Sequence, residues 1–153
     1  LDVDGSLLIA DTYNHRIVRW RPNARQGEII AGGEGPNNLP RQLNEPLAVL
    51  IDRINRNLII SDSQNRRVLR WSFDQRRPNG FAGEVILSNI YSFSLAMDVE
   101  GSLYVSDGER HEVRRYGRRD RREGVIVAGG YGQGVALHQL SGPRHIFVDA
   151  DQS

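Results

Sequence analysis

The chain is predicted to be all-β, assembled from about three copies of a four-stranded antiparallel unit. Three observations carry this expectation. One pattern recurs at Leu7–Trp20 (LLIADTYNHRIVRW), Leu58–Trp71 (LIISDSQNRRVLRW) and Leu103–Tyr116 (LYVSDGERHEVRRY), and a fixed period of this size marks a repeat architecture. A second segment repeats with it: Gly27–Gly33 (GEIIAGG) matches Gly124–Gly130 (GVIVAGG), and Ala31 to Pro46 has the same length as Ala128 to Pro143. Finally, the apolar runs are short, rich in branched and aromatic residues, and bounded by turn formers, with no helical periodicity.

Taken in order, Leu1–Asp4 is the end of a strand closed by Gly5 and Ser6, and Leu7–Ala10 is a short buried strand. Asp11-Thr-Tyr-Asn-His15 is a turn, since Asn and Asp side chains bond nearby backbone amides and tolerate left-handed conformations. Arg16–Arg21 resumes a strand that Pro22 breaks, because proline cannot donate to a ladder. Glu28–Ala31 is the fourth strand, and a long loop from Gly32 leads to Pro46 and the next unit at Leu47–Ile51. In the middle copy, Gly83–Asn89 keeps the strand but loses both glycines, and Ser92 stands in the place of the proline. The units are therefore expected at residues 1–46, 47–92 and 93–143, with 144–153 opening a further one. Four short strands per unit at this period describe a β-propeller blade, which buries its faces only by stacking on neighbours. Three blades do not close a ring, so neighbouring blades or a second copy are expected at the two open faces.

Composition removes several classes of function. The chain has no cysteine, which excludes disulfides and thiolate chemistry, and no apolar run approaches the roughly 20 residues that span a bilayer. No membrane partner is expected. All twenty basic residues are arginines, against 19 acidic ones, for a net charge of +1. The glycines of the two long loops lack the following helix and lysine of a phosphate cradle. Serines are scattered, with no Gly-x-Ser-x-Gly elbow, so no catalytic residue is assigned. The four histidines lack the spacing of a zinc site, and no metal or cofactor is expected.

Asn14-His15-Arg16-Ile17, following an aspartate and preceding an aromatic-ended strand, resembles the NHL repeat. Asp62–Arg67 repeats the Asp-x-x-Asn-x-Arg pattern, while Arg110-His111-Glu112 departs from it, so the third turn is expected to be the loosest. The resemblance implies six-bladed propellers that serve as binding scaffolds, some of which take single-stranded RNA and some of which are metal-dependent lyases. Asp11, Asp62 and Asp107 are expected to cap their turns and pair with the nearby Arg or His.

The expected function is therefore non-catalytic protein binding through one loop face. Its candidate residues are Asn14, His15, Arg16, Arg41, Asn65, Arg66, Arg67, His111 and His138. The alternative is single-stranded RNA on an arginine-rich surface of Arg114, Arg115, Arg118, Arg119, Arg121 and Arg122, with Arg66, Arg67, Arg70, Arg76 and Arg77 in a second cluster. By the implied topology these arginine turns lie on the face opposite the long loops. The aromatics beside them, Trp20, Trp71 and Tyr116, hold one repeat position and are expected to pack between blades.

Overall fold

A computed structural model describes residues 4–72 and 82–149. Three antiparallel meanders follow one another along the chain. The first comprises β1 (Leu7–Asp11), β2 (Arg16–Trp20) and β3 (Glu28–Gly32). The second comprises β4 (Pro46–Asp52), β5 (Asn57–Asp62), β6 (Arg67–Ser72) and β7 (Glu84–Ser88). The third comprises β8 (Ser92–Met97), β9 (Leu103–Asp107), β10 (Glu112–Tyr116) and β11 (Val125–Gly129). The all-β expectation holds, with three antiparallel strands in the first sheet and four in each of the other two among the described residues; Pro46 and Ser92 already belong to β4 and β8. All but Asp4 of the strand end expected at Leu1–Asp4 lies outside the described residues, as do residues 150–153, Arg76 and Arg77. Residues 144–149, expected to open a further blade, carry no strand: no ladder partner faces them among the described residues.

The repeat extends to irregularities that the sequence does not announce. The ladder between the second and third strands of the Leu-x-x-x-Asp pattern slips at Ile17/Val18, Val68/Leu69 and Val113/Arg114, one position in all three sheets. Entering strands bulge as well, at Pro46/Ala48 and Ser92/Ser94. A bulge leaves backbone groups outside the ladder, and a buried one requires another partner. At Ser92 the carbonyl takes hydrogen bonds from the buried hydroxyls of Ser61 (2.6 Å) and Ser63 (2.7 Å) of the preceding blade, and at Pro46 it takes one from Thr12 (2.9 Å). The serines that look scattered in sequence are thus gathered by the fold as bulge partners.

Side-chain alternation divides each sheet between its two neighbours. Leu58, Ile60, Leu69 and Trp71 pack with Ile17, Ala31 and Leu43 between the first and second blades. Ile59, Val68 and Leu87, from the opposite face of the second blade, pack with Leu95, Leu103, Val105 and Tyr116 of the third. Trp71 and Tyr116 therefore occupy equivalent inter-blade positions, as their shared repeat position implied.

Candidate functional site

The turns after β1, β5 and β9 share one end of the sheets with the long loops that follow β3 and β11. Each turn ends in a left-handed residue: His15 at φ 52°, Arg66 at 53° and His111 at 55°. That conformation costs a non-glycine residue about 1–2 kcal/mol, so something must hold it. For His15 and His111 the holder is the side chain. His15 Nδ1 accepts the amide of Glu45 at 3.1 Å, and His111 Nδ1 accepts that of Gly142 at 3.0 Å, each one residue before the proline that begins the next unit. Arg66 instead crosses to Glu109 of the third blade, with one arm at 2.8 Å.

The aspartates behave differently from one another. Asp62 is buried and accepts Arg67 Nε at 2.6 Å, Asn65 Nδ2 at 2.9 Å and the amide of Asn44 at 2.6 Å. Asp11 accepts Asn14 Nδ2 at 3.0 Å and Arg16 Nε at 2.7 Å, and Arg16, then Asn14, hold its carboxyl below the usual range. Neither caps its turn through the backbone. Asp107 does, accepting the amides of Glu109 and Arg110, because its copy lacks the Asn-x-Arg pair. The expected pairing with arginine is present in all three copies, longest in the third, where Arg110 Nε lies 3.8 Å from Asp107; a pairing with histidine is absent among the described residues, since both turn imidazoles are taken by backbone amides.

Asn65 and Arg67 reach further than their own aspartate. Asn65 donates to the carbonyl of Asn37 (2.7 Å), and Arg67 donates to those of Asn38 (2.7 Å), Leu39 (3.3 Å) and Gln42 (3.1 Å). Gly83 N adds a bond to Pro40 O at 2.7 Å. The second blade thus clasps the loop of the first by its backbone, and the side chains of residues 36–41 are left exposed while Leu43 enters the core. Of the expected binding residues, Asn65, Arg66, Arg67, His15 and His111 are occupied in holding blades and loops to one another. Asn14 and Arg16 are held by Asp11. Arg41 is exposed on a groove of ≈ 480 Å³ lined also by Glu34, Leu39, Pro40, Gln42 and Ala82. His138 stacks edge-on against Tyr131 at 5.3 Å.

Missed by the sequence reading is a set of outward apolar side chains on the same end: Tyr13, Leu39, Tyr131, Val135 and Leu137, the last two at 103% and 107% exposure. The loop that carries the last three is ordered by its own bonds, Gln139 N to Ala136 O (2.8 Å), Gln139 Nε2 to Tyr131 O (3.1 Å) and Gly134 N to Leu140 O (3.2 Å). A scan for apolar residues inside glycine-rich loops would have found it.

The arginine cluster lies at the opposite end, as the topology implied, and three of its six members are paired within the chain. Arg114 pairs with Glu112 at 2.5 Å and donates to Gly124 O, Arg115 donates to Ser102 Oγ at 3.1 Å near Asp98, and Arg122 pairs with Asp120. Arg121 is half-buried near Arg70 and Asp52, and burial first, then Arg70, pulls its guanidinium below its usual value. Arg118 and Arg119 remain exposed. Among the described residues no three His, Cys, Asp or Glu side chains converge as a metal site.

No protein-family description matches the sequence, and no curated protein matches it either. Solved structures do. A protein of unknown function from Bacteroides thetaiotaomicron aligns with a TM-score of 0.75 at 15% identity, over 98% of this chain and 41% of that one. A chain of a nidogen/laminin complex aligns at 0.68 and 15%, over 95% and 49%. Virginiamycin B lyase from Staphylococcus aureus aligns at 0.58 and 12%, over 98% and 44%. The likeness shows a β-propeller fold. The chain spans less than half the length of each of these structures.

Proposed function

We propose that this chain is an NHL-type propeller scaffold that binds a protein through the end bearing the long loops, and that it is not itself an enzyme. The observation that carries this is the division of labour in those loops. In the loop after β3 the second blade holds the carbonyls of Asn37, Asn38, Leu39, Pro40 and Gln42, and in the loop after β11 Tyr131, Val135 and Leu137 are held outward on a support ordered by its own hydrogen bonds. Exposed apolar groups on a preordered loop lose little conformational entropy on contact, which favours a protein interface. Support against RNA as the main ligand comes from the internal pairing of Arg114, Arg115 and Arg122. Support against metal-dependent lysis comes from His15 and His111, whose Nδ1 atoms are both taken by backbone amides.

The test is affinity capture with the chain beside a Tyr131→Ser, Val135→Ser, Leu137→Ser variant. Proteins retained by the parent and lost from the variant, with binding that changes little with salt, are the expected result. A captured set that is identical for both, or one dominated by RNA whose retention falls steeply with salt, rejects the proposal.

A further inference from the structure

We propose that the joint between the second and third blades, at the end of the sheets opposite the long loops, holds one tetrahedral oxyanion of the phosphate class between the guanidinium groups of Arg121 and Arg118. The site lies between two complete four-stranded sheets. It does not rest on the protein-binding reading above, which concerns the other end.

The fold brings these arginines together by way of the strand before them. Tyr116, the last residue of β10, is buried against the second blade, so the connection at 117–124 sets out from the face that the third blade turns toward the second. Arg118 keeps to that face. A Cβ added to the buried Gly101 would lie 3.0 Å from Arg118 Cδ and 3.3 Å from Ile54 Cδ1. The arginine stem and Ile54 therefore lie together over this glycine, and the charged head of Arg118 remains exposed. Ile54 belongs to the turn between β4 and β5 of the second blade. Arg121 reaches the same turn, near Asp52 where it begins. Trp71 packs toward the first blade, so alternation turns Arg70 toward the third. Arg70, Arg118 and Arg121 thus gather around one turn.

Arg121 is half-buried, yet it makes no hydrogen bond or ion pair with any described residue. A charge drawn out of water is ordinarily paired, because its lost hydration has to be replaced. The neighbouring carboxylates are engaged elsewhere. Asp52 is buried and accepts the Asn55 amide at 3.0 Å and Asn55 Nδ2 at 2.7 Å. Glu84 accepts Arg70 Nε at 3.1 Å and its terminal nitrogen at 2.6 Å. Asp98 accepts the amides of Glu100 and Ser102, and Asp120 is occupied by Arg122. Glu123, on the same loop, forms no ion pair with Arg118 or Arg121, and Arg118 also lacks a hydrogen-bond partner among the described residues. Burial draws the Arg121 guanidinium below its usual value, and Arg70 adds to this against the opposing pull of Asp52. An anion entering here would supply the acceptor that the chain does not.

The arrangement selects the kind of anion. One guanidinium fork satisfies a carboxylate, whereas two forks reaching one place from separate points of a loop suit the several oxygens of a phosphate group. It also favours a single group over a polymer. Arg114, Arg115 and Arg122 are paired within the chain, and Asp120 and Glu84 would repel a phosphate backbone continuing past the site. Trp71 and Tyr116, which could stack on bases, are 2% and 7% exposed.

Isothermal titration calorimetry with inorganic phosphate, against chloride at constant ionic strength so that screening is equal, tests this on the parent chain and three variants. Arg121→Gln and Arg118→Gln each remove one fork. Arg119→Gln removes an equal charge from the exposed residue between them. Phosphate is expected to bind the parent at a single site, with affinity lowered about tenfold or more by Arg121→Gln and by Arg118→Gln, and less than about threefold by Arg119→Gln. Bound phosphate should raise the melting temperature of the parent and leave that of Arg121→Gln unchanged. Circular dichroism checks folding; because Arg118 is exposed, its variant decides the matter if Arg121→Gln unfolds. O-phosphoserine separates the sources of the anion: tighter binding than inorganic phosphate points to a phosphorylated side chain, equal binding to the free ion, and both place the oxyanion between the two arginines. Absence of saturable phosphate uptake at millimolar concentration, or equal losses in all three variants, overturns the proposal. So does an oligouridylate that binds where phosphate does not, which would assign the surface to RNA. Loss of capture by the Tyr131, Val135, Leu137 variant with its phosphate binding unchanged would leave the anion site standing and concern the partner site alone.

Discussion

Two ion pairs of equal length give the sharpest test of the clasp. Arg67 meets Asp62 at 2.6 Å and Arg70 meets Glu84 at 2.6 Å, three residues apart on one strand. They differ in burial: 11% and 0% exposed side chains for the first pair, 43% and 63% for the second. Coulomb's law at contact distance does not separate them; solvent does. Breaking a buried pair from one side leaves a desolvated charge and costs about 3–5 kcal/mol, while an exposed pair contributes about 0–1 kcal/mol. Asp62 keeps Asn65 Nδ2 and the Asn44 amide after Arg67→Ala, which favours the lower end, about 3 kcal/mol. For Arg70→Ala we expect about 0.5 kcal/mol or less, the more so because Arg121 lies near Arg70. At this chain length 1 kcal/mol moves the melting temperature by roughly 2–4 °C, so Arg67→Ala should melt roughly 6–12 °C lower and Arg70→Ala within about 2 °C of the parent. Thermal melts followed by circular dichroism decide it. Equal shifts in the two variants would refute the argument that the loop is fastened to the second blade through Asp62.

Other consequences follow from the same turns. Gly32→Ala should destabilise far more than Gly35→Ala: both residues have positive φ, but a methyl at Gly32 runs into the His15 carbonyl and presses on Leu43, whereas nothing lies near one at Gly35. Urea titrations should place the Gly35 variant within about 1–2 kcal/mol of the parent and the Gly32 variant well beyond it. His15→Ala removes the acceptor of the Glu45 amide, and hydrogen exchange at Glu45 should accelerate at least about tenfold while exchange in β5 is unchanged. Glu28 is held below its ordinary value of 4.5 by hydrogen bonding from Arg19, then by the charges of Arg19 and Arg21. Its contribution is therefore complete above the ordinary glutamate range and fades as pH falls through the depressed value. Acid titration of Glu28→Gln against the parent should show the gap closing on the acid side, and closing at all pH in high salt because the pair is exposed.

How much of this was legible depends on the kind of contact. The meander and its period were legible because each strand's alternation and each turn residue act locally. The identity of the turn's partners was not. Asn65 and Arg67 look like a solvent-facing loop motif in sequence, and only the stacking of one blade on the next shows that they grip backbone carbonyls about 25–29 residues away. A carbonyl has no letter in the sequence, so a side chain that recognises one leaves no covarying partner to notice. His15 and His111 were matched to each other correctly as a repeat position, yet their role lies in the left-handed backbone that ends the turn, where a histidine is tolerated and its Nδ1 points at the next blade. Leu137 and Val135 were passed over for the reverse reason: apolar residues inside a polar, glycine-rich loop are overlooked when attention rests on charge.

The exclusive use of arginine acquires a physical reading from the same contacts. Biased usage would leave lysine an adequate substitute. Yet Arg67 serves Asp62 and three carbonyls at once, Arg66 bridges both oxygens of Glu109, Arg114 joins Glu112 to Gly124 O, and Arg122 meets both oxygens of Asp120. A planar fork with five donors reaches acceptors on several sides, whereas an ammonium presents its three donors from one point. Arg67→Lys therefore separates charge from shape. The ammonium can neutralise Asp62 or approach the loop carbonyls, not both. We expect the variant to recover about 1 kcal/mol of the Arg67→Ala loss, from charge neutralisation alone, and to leave the loop unfastened. Exchange at the Gln42 and Asn44 amides should then remain fast even as the melting temperature partly recovers. Full recovery of both would mean that positive charge at this position is sufficient, and that the arginines elsewhere in the chain need no geometric explanation.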